Sequence, residues 1–213
     1  MVKEAFGDSV EYDQNGKVTP GPMAFPFPYN KTYGEDHIKA VYNGRNIELS
    51  DMTLKNEEMN AEGEIYTFTF FRGQWLICDF GKELSGEVFI SANAKKGKLC
   101  FERDVTMDNE EFNDRFCVKT KAPEEAFYIL TPHMVEYILE MADKANGQVY
   151  MAFLRDGKIH IAINTNRDIF ELDDTKADYD TLHQKFLDEL HWFTDMIDTL
   201  RVEDTLYKKE TNV

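Results

Sequence analysis

The chain has 213 residues, 42% hydrophobic and 13% aromatic, which supplies one substantial core and excludes wholesale disorder. A formal net charge of -16 sets it against polyanions, so nucleic acid and an anionic bilayer surface are disfavoured as partners. Apolar runs are only a few residues long, far short of the roughly 20 that cross a bilayer, so membrane contact is expected only through a segment outside this chain.

The first 33 residues hold four of the six prolines, in "TPGPMAFPFPY". Proline fixes its own φ and lacks a ladder donor, so residues 1–33 are expected to form an extended, irregular arm. No P-x-x-P flanked by a basic residue marks it as a ligand for an SH3-type module, and its aromatics are expected to pack on the domain. A weak hairpin signal sits at Asn15-Gly16 in "VEYDQNGKVT".

From Ile38 the hydrophobic period is two. Asn43-Gly44 and Asp156-Gly157 each separate two alternating runs and tolerate the positive φ of a type I′ turn, which predicts two antiparallel hairpins. "EIYTFTFF" sets Ile65, Thr67 and Thr69 on one side and Tyr66, Phe68 and Phe70 on the other. "QWLICDF" is nearly continuous instead, as a strand covered on both faces should be, with Gly73 as a turn or bulge between the two. "SGEVFISA" supplies the next strand.

Two helices complete the reading. Over about 131–145, Thr131 suits the N-cap, Pro132 the first turn and Asn146-Gly147 the stop, with Met134, Val135, Ile138, Leu139 and Ala142 as one stripe. Over about 178–200, Tyr179, Leu182, Phe186, Leu190, Phe193, Ile197 and Leu200 share a face. The fold class is therefore α+β, with antiparallel hairpins forming a sheet or partly closed barrel packed by these two helices. The chain divides into the arm 1–33, a domain over 34–200 open to a subdivision near Gly97, and a polar tail 201–213 that frays.

Candidate chemistry is sparse. Cys78, Cys100 and Cys117 are odd in number and lack C-x-x-C spacing, so they are expected to be buried reduced thiols in a reducing compartment. A catalytic Cys78 would need a cation, histidine or helix N-terminus nearby, and its sequence neighbourhood has none. Asp79 is expected to satisfy backbone donors at the following turn. The pairs Asp180/His183 and Asp188/His191 each share a helix face, yet no second helix supplies the partners a metal centre would need. "DQNG" from Asp13 lacks later calcium ligands and reads as a turn. Glu110-Glu111, Glu124-Glu125 and Asp173-Asp174 are adjacent pairs near element ends, which point apart instead of forming an acid/base dyad. No nucleotide-binding, nucleophile-elbow or zinc-protease motif occurs. No catalytic, cofactor-binding or metal-binding residue is assigned and no cofactor is expected; reactive-looking side chains should stand apart from one another.

Three segments, "YGEDHIKAVYNGRNIELSDM", "FRGQWLICDFGKELSGEVFI" and "DNEEFNDRFCVKTKAPEEAFYILTPHMVEYILEM" followed by "VYMAFLRDGKIHIAI", together resemble the bacterial family of unknown function numbered three-one-three-seven. The resemblance runs from about Met23 to Glu171. It implies a membrane-tethered parent protein with this domain in the cytoplasm, an unsettled role and no catalytic residues to carry over. The resulting expectation is a non-enzymatic module that binds a protein or small ligand. Two rivals are an enzyme whose site is assembled from His133, His160 and Asp156, and self-association through the terminal helix.

Overall fold

The computed structural model describes residues 2–93, 104–145, 147–166 and 179–206. The elements in chain order are α1 (Val2–Phe6), β1 (Glu11–Asp13), β2 (Lys31–Tyr42), β3 (Arg45–Met59), β4 (Ile65–Asp79), β5 (Val88–Ala92), α2 (Glu110–Arg115), β6 (Phe116–Thr120), α3 (Pro123–Ile129), α4 (Pro132–Lys144), β7 (Gln148–Phe153), β8 (Lys158–Asn164) and α5 (Tyr179–Leu206). The strands form one antiparallel sheet in the order β1-β2-β3-β4-β8-β7-β5-β6. It stays open, with β1 and β6 as edges, which corrects the partly closed barrel: no ladder joins those two strands. Strands from both sides of position 97 enter the same sheet.

Local chemistry sets the turns. Asn43 and Gly44 take φ of 49° and 80°, the positive pair of a type I′ turn, and Tyr42 pairs with Arg45. The β7–β8 turn is different. Leu154 N–H donates to Lys158 O at 2.9 Å, Gly157 N–H donates to Leu154 O at 3.1 Å, and Gly157 has φ 76°. Asp156 keeps negative φ, so this is a type I turn closed by a left-handed glycine, not the expected I′ pair. Asn15-Gly16 makes a turn, but β1 pairs with β2, so the third hairpin is not formed. Gly73 lies inside a continuous β4, where a Cβ would stand 2.1 Å from Ile163 O. It permits close approach of β8, and the register shift falls opposite Leu54 and Lys55 instead.

Among the described residues, five helices accompany the sheet. Thr131 caps α4, its Oγ1 accepting from Met134 N–H at 3.2 Å, and Asn109 caps α2 in the same way through Phe112 N–H. α4 buries Met134, Val135, Ile138, Leu139 and Met141 against the sheet core. α5 contributes Leu190, Phe193, Met196 and Ile197 and continues as helix to Leu206, six residues past the expected end at 200. The side chains of Tyr179, Leu182, Phe186 and Leu200, together with Cys100, Asn146, Asp173-Asp174 and the last seven residues, lie outside the described residues. Among the described residues no helix is long and apolar enough to cross a membrane.

The sheet carries a core on each face. Ile38, Leu49, Leu76, Ile90, Met151, Phe153 and Ile161 face the helices. Met52, Leu54, Phe71, Trp75, Ile77 and Ala162 face the other way, beneath the arm. Alternate residues of "WLIC" therefore enter different cores: Trp75 and Ile77 under the arm, Leu76 and Cys78 under the helices. This is why the run shows no alternation in sequence. Cys78 is free and buried, and burial pushes its thiol up to about 12. Cys117 is disulfide-bonded, which corrects the expectation of three reduced thiols.

Candidate docking face

Within the expected arm, Val2–Phe6 is helical, Glu11–Asp13 pairs with β2 and residues 31–33 belong to β2, which corrects the irregular arm over 1–33. The proline-bearing stretch between β1 and β2 forms no strand, and hydrogen bonds and ring contacts hold it on the sheet. Val18 N–H donates to Ser50 Oγ at 3.1 Å, Ser91 Oγ donates to Ala24 O at 2.5 Å, and Asn30 N–H donates to Lys55 O at 3.1 Å. Phe25 stands at the centre of this contact, with ring centroids 4.8 Å from Tyr150, 5.4 Å from Phe70, 5.6 Å from Phe71 and 5.8 Å from Trp75. Such edge-on aromatic packing adds roughly 0.5–1.5 kcal/mol per pair beyond area burial.

His160 is the polar point under the arm. Its Nδ1 accepts from Trp75 Nε1–H at 3.1 Å and from Gly21 N–H at 3.3 Å. A Cβ on Gly21 would stand 2.6 Å from the imidazole Cε1, so glycine permits the backbone to lie this close. Only 5% exposed, the ring is held neutral: burial is the main cause lowering its pKa to about 4.

Beyond Tyr29 the aromatic cluster runs out into solvent. The far half of the β3–β4 hairpin is largely exposed, and its β4 strand leaves large apolar groups uncovered. Tyr66 is 59% exposed and Phe68 53%, joined by Phe27 of the arm at 52%. The Phe27 ring lies 5.5 Å from Phe68 and 6.3 Å from Phe70, so buried and exposed aromatics form one continuous surface. Met59 and Ile65 pair at the tip and are likewise exposed. Glu57, Glu58, Glu62 and Glu64 surround them, and Tyr66 Oη donates to Glu64 Oε2 at 2.9 Å. Phe127 and Tyr128 on α3 are also exposed, with Lys82 over the Tyr128 ring at 5.1 Å.

The titratable residues singled out by sequence separate as follows. His133 lies in the helix layer and His160 under the arm, on opposite faces of the sheet, while Asp156 Oδ1 caps Lys158 N–H in the β7–β8 turn. These three do not meet. His37 contacts Glu48 at 2.9 Å and His183 contacts Glu4 at 3.1 Å, so His183 turns from Asp180 towards α1. Asp188 accepts from Gln184 at 2.8 Å. Asp79 accepts from Asn46 N–H at 3.3 Å and Asn46 Nδ2 at 2.7 Å, so its backbone donor lies at the start of β3 and not in the turn that follows it. Among the histidines, the expectation that reactive-looking side chains stand apart fails at His133 and His191. They line a single open groove of about 500 Å³ between α4 and α5, with Glu136, Glu140, Asp188 and Asp195. Packing of two helices distant in sequence brings them together. Among the described residues, no group of three such side chains is placed to hold a metal ion.

A family model described as "Protein of unknown function (DUF3137)" matches residues 69–202, more than half of the chain. The chain belongs to the DUF3137 family. No curated protein matches it. A solved structure, mycobacterial trehalose monomycolate transport factor A, TtfA, is similar at 10% sequence identity and a TM-score of 0.37, over 80% of this chain and 75% of that one. Within this DUF3137 member the matched region begins at Thr69, so Phe27, Tyr66 and Phe68 precede it.

Proposed function

We propose that the chain is a non-enzymatic module that docks a protein partner on the aromatic face made by Phe27, Tyr66 and Phe68. One observation carries this reading: a packed aromatic cluster continues into solvent along the exposed far half of the β3–β4 hairpin. Exposed contiguous aromatics of this kind are the usual anchors of protein interfaces. The glutamates around them favour a partner with a basic rim, and the net charge of -16 works against nucleic acid or an anionic bilayer. The imidazoles and carboxylates of the α4–α5 groove are solvent-exposed, where water screens each charge, which is why the enzyme reading ranks second. Tethering of the parent protein to a bacterial membrane belongs to the proposal through the family resemblance. The bridged Cys117 favours the oxidising side of that membrane over the cytoplasm.

A photoreactive phenylalanine analogue at Phe68, introduced into the full-length protein in cells, tests the reading. A discrete protein adduct that is absent when the analogue replaces Glu124 on α3 supports it. Adducts only with lipid, or the same adducts from both positions, overturn it.

A further inference from the structure

β3 pairs with β4 from Ile65 to Cys78, whereas among the described residues β8 pairs with β4 only from Gly73 to Asp79. The two outer edges of the hairpin tip differ. On the β3 side, Asn30 closes the edge: its N–H donates to Lys55 O at 3.1 Å, its Nδ2 donates to Glu57 O at 2.8 Å, and its Oδ1 accepts from Glu57 N–H at 3.0 Å. Lys55 and Glu57 therefore direct their backbone groups away from β4. In an antiparallel ladder the residues opposite them do the same on the other side. Those residues are Thr69 and Thr67, and Ile65 follows in phase. Their N–H and C=O groups point outward from β4, and among the described residues no hydrogen bond to them is made.

Open edges are usually blunted by proline, lysine or a covering element. The stretch from Ile65 to Phe71 has neither residue, and Thr67 and Thr69 are exposed. It alternates β-branched residues with Tyr66, Phe68 and Phe70, so a strand added here would lay its apolar side chains along the aromatic face. A second copy of the chain would bring the same glutamates against Glu57, Glu58, Glu62 and Glu64, and like charges across a ladder repel. A segment alternating apolar and basic residues would meet opposite charge instead.

We infer that the outer edge of β4, from Ile65 to Thr69, binds an extended apolar-basic segment of another protein by strand addition. This inference rests on the protein-docking reading and specifies its geometry.

The test uses the full chain and a synthetic eight-residue peptide alternating valine and lysine. Saturating peptide should slow amide exchange of Thr67 and Thr69 at least tenfold, and a valine-glutamate peptide should not. Thr67→Pro removes an outward N–H while leaving the β3 ladder intact, so it should abolish the protection without lowering the melting temperature. If the valine-lysine peptide slows neither amide, strand addition is wrong. It is also wrong if both amides are already protected in the free chain, because the edge is then occupied from within. The protein crosslinked at Phe68 separates the two readings. Loss of that partner with Phe68→Ser but not with Thr67→Pro keeps docking and removes strand addition, whereas retention with both variants removes docking itself.

Discussion

The Trp75 indole N–H and the Gly21 backbone N–H converge on one nitrogen of His160, at 3.1 Å and 3.3 Å. Two donors aimed at Nδ1 require that atom to carry no proton, so the hydrogen is on Nε2. Protonating Nδ1 would turn an acceptor into a third donor and detach the arm from the sheet.

Stability should therefore fall in mild acid. The folded imidazole titrates near about 4, below the ordinary 6.5, because burial disfavours its charged form; Asp156 and Glu48 act weakly upward and Lys158 downward. Between those two values the unfolded chain binds the proton and the folded chain does not, so stability is complete above about 6.5 and declines down to about 4. The loss is about 3 kcal/mol. Urea midpoints measured from about pH 8 to about pH 4 should show a steeper decline for the natural chain than for His160→Phe.

Gly21→Ala places a methyl group where the imidazole stands, 2.6 Å from Cε1. Arm and ring cannot both keep their positions. A destabilisation of about 1–3 kcal/mol is expected, as for other overpacked sites, with a red-shifted tryptophan emission as water reaches Trp75. An unchanged midpoint would show that the arm is not seated over His160.

The thiols report the disulfide. Unfolded without reductant, the chain should show a reactive thiol at Cys78 and none at Cys117, which should become reactive only after reduction. In the native state Cys78 should resist alkylation, because it is buried and its thiolate is disfavoured.

Phe193 and Ile197 already lie in the helix-side core, so α5 has an intramolecular use for its apolar face. Light scattering should report one chain of 24.8 kDa, and Phe193→Ala should cost about 3–5 kcal/mol in unfolding free energy. A stable dimer that Phe193→Ala dissociates would revive self-association.

What could be read from the residues was what neighbouring residues decide. Asn43-Gly44 specifies its turn, Thr131-Pro132 its helix start, and the unbroken run at Trp75 to Cys78 its double burial. The arm's packing was legible too, since prolines beside aromatics leave little else for the chain to do. His160 was not: its partners lie 139 and 85 residues away, and a lone histidine in a strand carries no mark of them. The same holds for His133 beside His191. Their shared groove exists only once α4 and α5 are packed, and neither helix alone records that angle. The pairing of β1 with β2, in place of the hairpin at Asn15-Gly16, is likewise a choice made by the sheet.

The strand order also constrains how the chain can be made. β4 and β5 follow each other in sequence but are separated in the sheet by β8 and β7, which are synthesised much later. Until position 164 has left the ribosome, a nascent chain has one long flank of its central ribbon without a mate, an interval that invites mispairing. A chaperone holding that flank during translation would be protecting the middle of the finished sheet.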